Sequence, residues 1–323
     1  MKKVKVKAPG KTILFGEHAV VYGYPAIAMA ISVNSKCIIS ESNNVSLKIN
    51  LENYNLSFEG KDLSSLTSKF PTKNKQLMKC LQLFKNRYGI ELKNLEISVS
   101  SKLFPSAGLG SSASIAVALT QAINNFYDLE LSKSEINELA YAQEKIVHGS
   151  PSGIDNNICT YGNAIYFQEG DFEFIEVPEE LLLLITYTNI EHDTKEAINR
   201  IKRLKETEPG KTTEYLESIG KLTQQAQVEL NEGNIHEIGE LMNLNQKYLA
   251  KLKVSNGIIE QIVKISRKNG ALGAKLTGAG LGGCVITLGT HETLKNIQSI
   301  LTNKGFKSFI ANNDKEGVNV IEE

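Results

Sequence analysis

Ser111 and Ser112 follow Gly108 and Gly110 in the run F-P-S-A-G-L-G-S-S-A-S-I-A-V-A-L-T-Q, Phe104–Gln121. Leu95–Ser101 before it alternates apolar and polar residues and reads as a strand, and the apolar stretch from Ile115 to about Tyr127 reads as a helix. The two glycines therefore fall where the backbone must take positive φ or approach something closely. Serines in the first turn of a helix add free N–H groups and the positive end of its dipole, which together suit an anion, and phosphate above all. A serine-capped helix after a glycine turn is the plainer alternative.

Other residues could work on such an anion. Lys11 stands at a turn expected from Pro9-Gly10, ahead of an apolar run, and Glu17 and His18 follow a second glycine. Gly10-Lys11-Thr12 is not a Walker A loop: that motif requires glycine where Lys5 stands, and a helix where Ile13, Leu14 and Phe15 read as strand. Glu17 and His18 could equally be a structural hydrogen-bonding pair. Glu144 lies near the C-terminus of a helix opened by the capping box Ser132/Glu135. The dipole disfavours a carboxylate there by ~0.3–1 kcal/mol, so a cation is expected beside it. Asp155, after the turn Gly149–Gly153, could cap a short helix or act as a general base. Gly278-Ala279-Gly280-Leu281-Gly282-Gly283 matches G-x-G-x-x-G, but Cys284–Leu288 reads as strand, so the dinucleotide-binding reading fails. A loop so rich in glycine between strands points to close approach to a bound group.

The elements that must hold these residues divide at Pro178-Glu179-Glu180. Before that point short strands dominate: Lys2–Ala8, Ile27–Ser32, Lys36–Ser42, Val45–Leu51, Leu56–Phe58, Ala164–Phe167 and Phe172–Val177, with a helix over Asn74–Tyr88. After it, a strand at Leu182–Tyr187 precedes helices at Thr194–Glu206, Thr213–Glu232, Ile235–Leu249 and Asn256–Asn269. Pro209-Gly210 and Gly233 separate them, and a helix over Glu292–Thr302 and strands at Phe306–Ala311 and Gly317–Ile321 close the chain. Residues 1–180 and 181–323 are the expected domains, a division that suits 323 residues.

Composition narrows the class. Hydrophobic residues make up 41% and charged residues 22%, and the formal net charge is zero. A broad nucleic-acid or acidic-membrane surface is not expected, though a local basic pocket is compatible. Cys37, Cys80, Cys159 and Cys284 form no C-x-x-C pair, which argues against zinc and fits a reduced, cytoplasmic setting. The N-terminus lacks the apolar core of a secretory signal, and no apolar run approaches membrane-span length.

Four separated motifs point one way: A-P-G-K-T-I-L-F-G-E-H-A-V-V-Y-G-Y-P-A from Ala8, P-S-A-G-L-G-S-S-A-S from Pro105, E-K-I-V-H-G-S-P-S-G-I-D-N from Glu144 and K-L-T-G-A-G-L-G-G-C from Lys275. The ordered set resembles the GHMP superfamily of small-molecule kinases, and within it the mevalonate kinase branch. The resemblance implies an α+β, two-domain fold: an N-terminal ribosomal-protein-S5-like α/β domain and a C-terminal ferredoxin-like α+β domain, with the site in their cleft. It implies ATP and Mg²⁺, with mevalonate phosphorylated to 5-phosphomevalonate. Pro105, Ser106, Ala107, Gly108, Leu109, Gly110, Ser111 and Ser112 would wrap the ATP phosphates. Ser112 and Glu144 would hold Mg²⁺, which accounts for the cation expected beside Glu144. Asp155 would take the proton from the substrate hydroxyl, with Lys11 near it and the transferring phosphoryl group. Glu17, His18, His192 and Thr194 would line the substrate pocket, and Gly278, Ala279 and Gly280 would close over it.

One departure from the family pattern stands out. The position two before Thr194 often carries arginine, a bidentate partner for the substrate carboxylate; here it is His192. Either His192 is protonated in the complex or another cation such as Lys195 helps. The departure also leaves room for a neighbouring substrate, phosphomevalonate or another hydroxyl of mevalonate. Outside enzymes, the alternative is a small-molecule sensor on the same fold, against which the presence of Lys11, Ser112, Glu144 and Asp155 argues. Many members of the family are dimeric, so a homodimer is expected by resemblance.

Overall fold

The computed structural model describes residues 1–322 except 45, 68, 71–74, 149–152 and 192–193. Strand β1 (Lys3–Phe15) pairs antiparallel with β2 (Ala26–Glu41) along nearly its whole length. β1 begins with alternating burial and becomes buried on both faces from Ala8 onward, which is why Lys-Val alternation gives way to an apolar run. Pro9-Gly10 does not turn the chain as the sequence suggested. The register jumps from Pro9 opposite Asn34 to Gly10 opposite Ile31, a bulge that re-aims the strand without ending it. A Cβ on Gly10 would fall 2.5 Å from Leu103 Cδ2, so only glycine lets the loop after β5 come this close. The two strands expected at 27–32 and 36–42 are likewise one long strand, β2.

β3 (Leu47–Leu51), β4 (Leu56–Gly60) and a short helix α1 (Leu63–Thr67) follow; the five residues of α1 are too few to show periodicity. Then come α2 (Lys75–Tyr88), β5 (Leu95–Ser101), α3 (Ser111–Phe126), α4 (Lys133–His148), α5 (Ile154–Tyr161), β6 (Ala164–Gln168) and β7 (Asp171–Ile175). The capping box of α4 forms as read: Glu135 N–H donates to Ser132 Oγ at 3.3 Å, and Ser132 N–H to Glu135 Oε2 at 2.9 Å. The second half of the chain contributes β8 (Leu183–Tyr187), α6 (Thr194–Thr207), α7 (Pro209–Glu232), α8 (Ile235–Lys251), α9 (Gly257–Lys268), β9 (Gly273–Thr277), β10 (Cys284–Leu288), α10 (His291–Asn303), β11 (Lys307–Ala311) and β12 (Asn319–Glu322). Pro209 is the first residue of α7, where its fixed φ and missing N–H are harmless, so it starts that helix instead of separating two.

The first sheet has the order β12-β1-β2-β5-β3-β4, with β6 on the other end of β2 and β7 outside it. The second has the order β11-β8-β10-β9, antiparallel throughout. The last strand crosses back to pair with β1 in the first sheet. One core lies between the first sheet and α2–α4, with Val6, Ile39 and Ile97 against Leu81, Phe84 and Val117. Alternate residues of β8 and β10 serve different cores. Leu183, Ile185 and Ile286 join Phe15, Ile27 and Met29 of the first sheet, whereas Leu184 and Val285 face Ile262 of α9 and Ile297 of α10. The two sheets therefore share an apolar core.

Candidate active site

The bulge at Pro9-Gly10 carries Lys11 under the glycine loop. Lys11 N–H donates to the Leu109 carbonyl at 2.9 Å, which fastens the loop to β1. Within the loop, Ala107 and Leu109 are buried as anchors, while Ser106, Gly108 and Gly110 lie more outward. Gly108 and Gly110 have φ of +78° and +70°, as expected from their place between strand and helix. Gly110, which has no side chain to cap with, is the N-cap of α3. Its first turn thus offers amides and dipole to an anion. Ser114, the last serine of the motif, ties the start of α3 to the sheet. Its Oγ donates to the Ala8 carbonyl at 2.7 Å and accepts from Ser35 N–H at 3.3 Å.

Asp155 sits in the first turn of α5, whose N-cap is Gly153. Asp155 is therefore not the N-cap of that helix. Its Oδ1 lies 3.0 Å from Lys11 Nζ, which is 8% exposed. Glu144, buried on α4, faces the same pair. Burial, then the Asp155 charge, push its carboxyl up to about 7, with Lys11 opposing. Two carboxylates and one ammonium thus share one small volume. Asn137 of α4 braces it: Asn156 Nδ2 donates to Asn137 Oδ1 at 2.6 Å, and Asn137 Nδ2 to Asn157 Oδ1 at 2.9 Å. These bonds hold the helix of Glu144 against that of Asp155.

Glu17 and His18 do not bond to each other. Each reaches across to the second sheet's unit. Glu17 is buried, its Oε1 paired with Lys275 and its Oε2 accepting from Asn245 Nδ2 at 3.1 Å. His18 has φ of +64°, a conformation costing ~1–3 kcal/mol unless held. Its Nε2–H donates to the Ala279 carbonyl at 2.8 Å. Burial outweighs that bond and lowers its pKa to about 4, so the ring is neutral near pH 7. The turn owes its shape to Gly16, at φ +91°, where a Cβ would meet the Pro25 carbonyl at 2.4 Å.

A model of the GHMP kinases N terminal domain matches residues 75–163, and one of the GHMP kinases C terminal region matches 226–307. A mevalonate kinase of Pyrococcus abyssi is 35% identical over 99% of this chain and 98% of its own length. The chain belongs to the GHMP kinases. Within that family it falls with the mevalonate kinases. The Methanococcus jannaschii mevalonate kinase structure superposes with a TM-score of 0.87 at 31% identity, covering 97% of this chain and 99% of the other. The L. major mevalonate kinase, solved in complex with R-mevalonate, gives 0.83 at 30% identity over 96% of both chains.

The GHMP motifs converge here from distant parts of the chain. The loop from Pro105 meets Lys11; Lys11 meets Asp155; Asp155 faces Glu144; and the turn of His18 meets the loop of Gly278, Ala279 and Gly280. Gly278, Gly280 and Gly283 all have φ between +69° and +77°. A Cβ on Gly280 would fall 2.3 Å from the Val254 carbonyl. Leu281 N–H donates to that carbonyl at 2.7 Å, and Gly283 N–H to the Ile190 carbonyl at 2.8 Å. This loop is thus fastened to the segment ahead of α6, whose first residue, the exposed Thr194, opens the helix. His192 and Gly149–Ser152 lie outside the described residues. Three supporting residues went unassigned in the sequence: Asn137, Asn245 and Lys275. Only Lys275 left a signal, as a lone cation inside an otherwise apolar strand.

Proposed function

We propose that this protein transfers the γ-phosphoryl group of ATP to the 5-hydroxyl of mevalonate, giving 5-phosphomevalonate and ADP. The observation that carries the reading is the Lys11–Asp155 pair at 3.0 Å beside buried Glu144, at the foot of the glycine loop. The start of α3, with glycine at its N-cap, suits the triphosphate, with Pro105–Ser112 around it. The hydroxyl oxygen attacks the γ-phosphorus while the bond from phosphorus to the β-bridging oxygen breaks, and ADP leaves. Asp155 accepts the hydroxyl proton as the new bond forms, because a carboxylate cannot ionise a free alcohol beforehand; such help contributes ~10²–10⁴-fold. Lys11 neutralises charge at Asp155 and on the moving phosphoryl group. His18, neutral, and the loop 278–280 close the substrate side, and by family resemblance His192 and Thr194 would line the same pocket.

The donor set fits Mg²⁺. A buried carboxylate whose proton affinity is raised by a second carboxylate favours a cation beside it. Among the described residues no group of three or more His, Cys, Asp or Glu converges on a metal position, and Mg²⁺ with ATP needs few protein oxygens. Ser112 and Glu144 would hold it, and when bound it supplies charge neutralisation between the phosphates.

The division into residues 1–180 and 181–323 belongs to this reading, supported by the second sheet opening at Leu183 and qualified by the return of β12. A homodimer rests on the family resemblance and a cytoplasmic location on the cysteine usage; no helix among the described residues is long and apolar enough to cross a membrane. The test is ADP release from ATP on adding mevalonate, with phosphorus NMR of the product. A phosphate on another hydroxyl, or turnover only with phosphomevalonate, would move the assignment to a neighbouring kinase.

A further inference from the structure

We infer that Lys275 is a positioning residue, which through Glu17 sets where the glycine loop 278–283 stands relative to the Lys11–Asp155 pair. The inference rests on the kinase reading for its kinetic readout only.

Lys275 lies in β9, the edge strand of the second sheet, and is fully buried. Its Nζ donates to Glu17 Oε1 and, at 2.8 Å, to the Leu276 carbonyl. The other Glu17 oxygen is held by Asn245 from α8. Two residues on, Thr277 Oγ1 accepts from Ile13 N–H and donates to the Ile13 carbonyl, both at 3.0 Å, and lies 3.0 Å from Thr12 Oγ1. Two further on, the Ala279 carbonyl accepts from His18. Lys275, Thr277 and Ala279 thus meet Glu17, then Ile13 and Thr12, then His18, along one line of contact. Thr12 adjoins Lys11, and Ala279 lies between two loop glycines, so this seam runs from the reacting pair to the loop.

The seam's ends differ in kind. Thr277 and Ala279 make neutral bonds; Lys275 and Glu17 form an ion pair with side chains at most 1% exposed. Such a pair is no more stabilising than well-packed hydrocarbon, and its best-attested role is to select one register over others. Around it the units share an apolar core, which adheres without direction. The ammonium, held by a carboxylate on one unit and a carbonyl on its own strand, supplies that direction. Glu17 thereby serves the substrate side through Lys275, its carboxylate already committed.

The experiment compares the full-length wild type with Glu17→Gln/Lys275→Met, which removes both charges together, and with Glu17→Asp, which keeps the pair but withdraws the carboxylate by one methylene. Thermal unfolding, hydrogen exchange of the 275–283 segment without ligands, and steady-state kinetics are measured. In both variants we expect loop exchange to rise about tenfold. The mevalonate KM should rise about tenfold with kcat within about threefold. Melting temperatures should stay close to wild type. Wild-type exchange and wild-type KM in a folded variant would overturn the inference and leave the pair a merely structural contact. Should the double variant fail to fold, Glu17→Asp decides by the same two readings. If the wild type does not turn over mevalonate, the kinase reading fails, and the ligand-free exchange comparison still decides this one.

Discussion

Asp155→Asn is nearly isosteric and removes one charge from the cluster of Lys11, Glu144 and Asp155. Its effect on stability should be small because two terms oppose. Lys11 loses a partner at 3.0 Å, but Asp155 is 33% exposed; discounting for solvent, that loss is ~1–2 kcal/mol, between surface and buried pairs. Against it, Glu144 is relieved of a neighbouring negative charge. Its carboxyl is raised from 4.5 to about 7. Burial is the larger cause and Asp155 the second, so part of that cost returns on substitution. The net change lies within ~1 kcal/mol, a shift of a few degrees in melting temperature. Turnover should instead fall at least ~10²-fold, because the proton acceptor is gone. The assay is coupled ADP release at saturating ATP and mevalonate, beside ATP binding by calorimetry and thermal unfolding. Turnover within tenfold of wild type would remove Asp155 from the mechanism. A collapse in melting temperature alongside inactivity would show that the residue holds the fold.

Three further outcomes follow from the geometry. His18 is held near pKa 4 by burial, against 6.5 when free, so its contribution to stability is complete above pH 6.5. It is lost as pH falls toward 4, where the unfolded chain binds a proton that the folded chain refuses. The loss reaches ~3 kcal/mol. Denaturant unfolding across that window should show a flatter profile for His18→Gln, and equal slopes would refute the assignment. Gly110→Ala places a Cβ 2.8 Å from Lys11 Cγ at φ +70°; turnover should drop ~10-fold or more as Lys11 is displaced. Gly89→Ala, at φ +65° with nothing within 4 Å, carries the same backbone strain and should leave turnover unchanged; equal losses in both would refute the placement of Lys11. Asn137→Ala unlinks α4 from α5 and leaves the Asn156 amide without its acceptor, costing ~1–3 kcal/mol. Amide exchange in α5 should rise with it, and unchanged exchange would show that the brace is idle.

Much of this arrangement was legible in the chain because its signals are local. Gly108 and Gly110 announce positive φ, the capping box of Ser132 and Glu135 announces α4, and Cys284–Leu288 after the last glycine loop excludes a helix there. The failures have one cause. Pro9-Gly10 reads as a turn, yet it is a bulge because Leu103, distant in sequence, packs against it. The residues around Asp155 leave a cap and a general base both open, because its partner Lys11 is an even longer step away along the chain. For Glu17 and His18 a local pair stays open in the sequence, yet their partners are 258 and 261 residues away. Propensity reports what a segment does alone, and each of these residues is governed by a segment it meets only after folding.

That same dependence explains why the site is built from charges that do not balance. Lys11 is one ammonium facing two carboxylates, the buried Glu144 and the partly exposed Asp155. A triphosphate arriving without a counter-ion would add to the excess of negative charge at close range, where screening is weak. The start of α3 and Lys11 together supply too little positive charge to offset both the phosphates and the carboxylates. On the kinase reading, the donor set would suit a nucleotide that brings its own divalent cation, without a closed metal cage, since the phosphates would complete the coordination. The protein's part is placement: the bulge in β1 aims Lys11, Asn137 fixes the spacing of the carboxylates, and the seam at Lys275 sets the opposing loop. Because each of these supports lies behind the reacting groups and touches none of them, the chemistry depends on residues that a search for catalytic side chains would pass over.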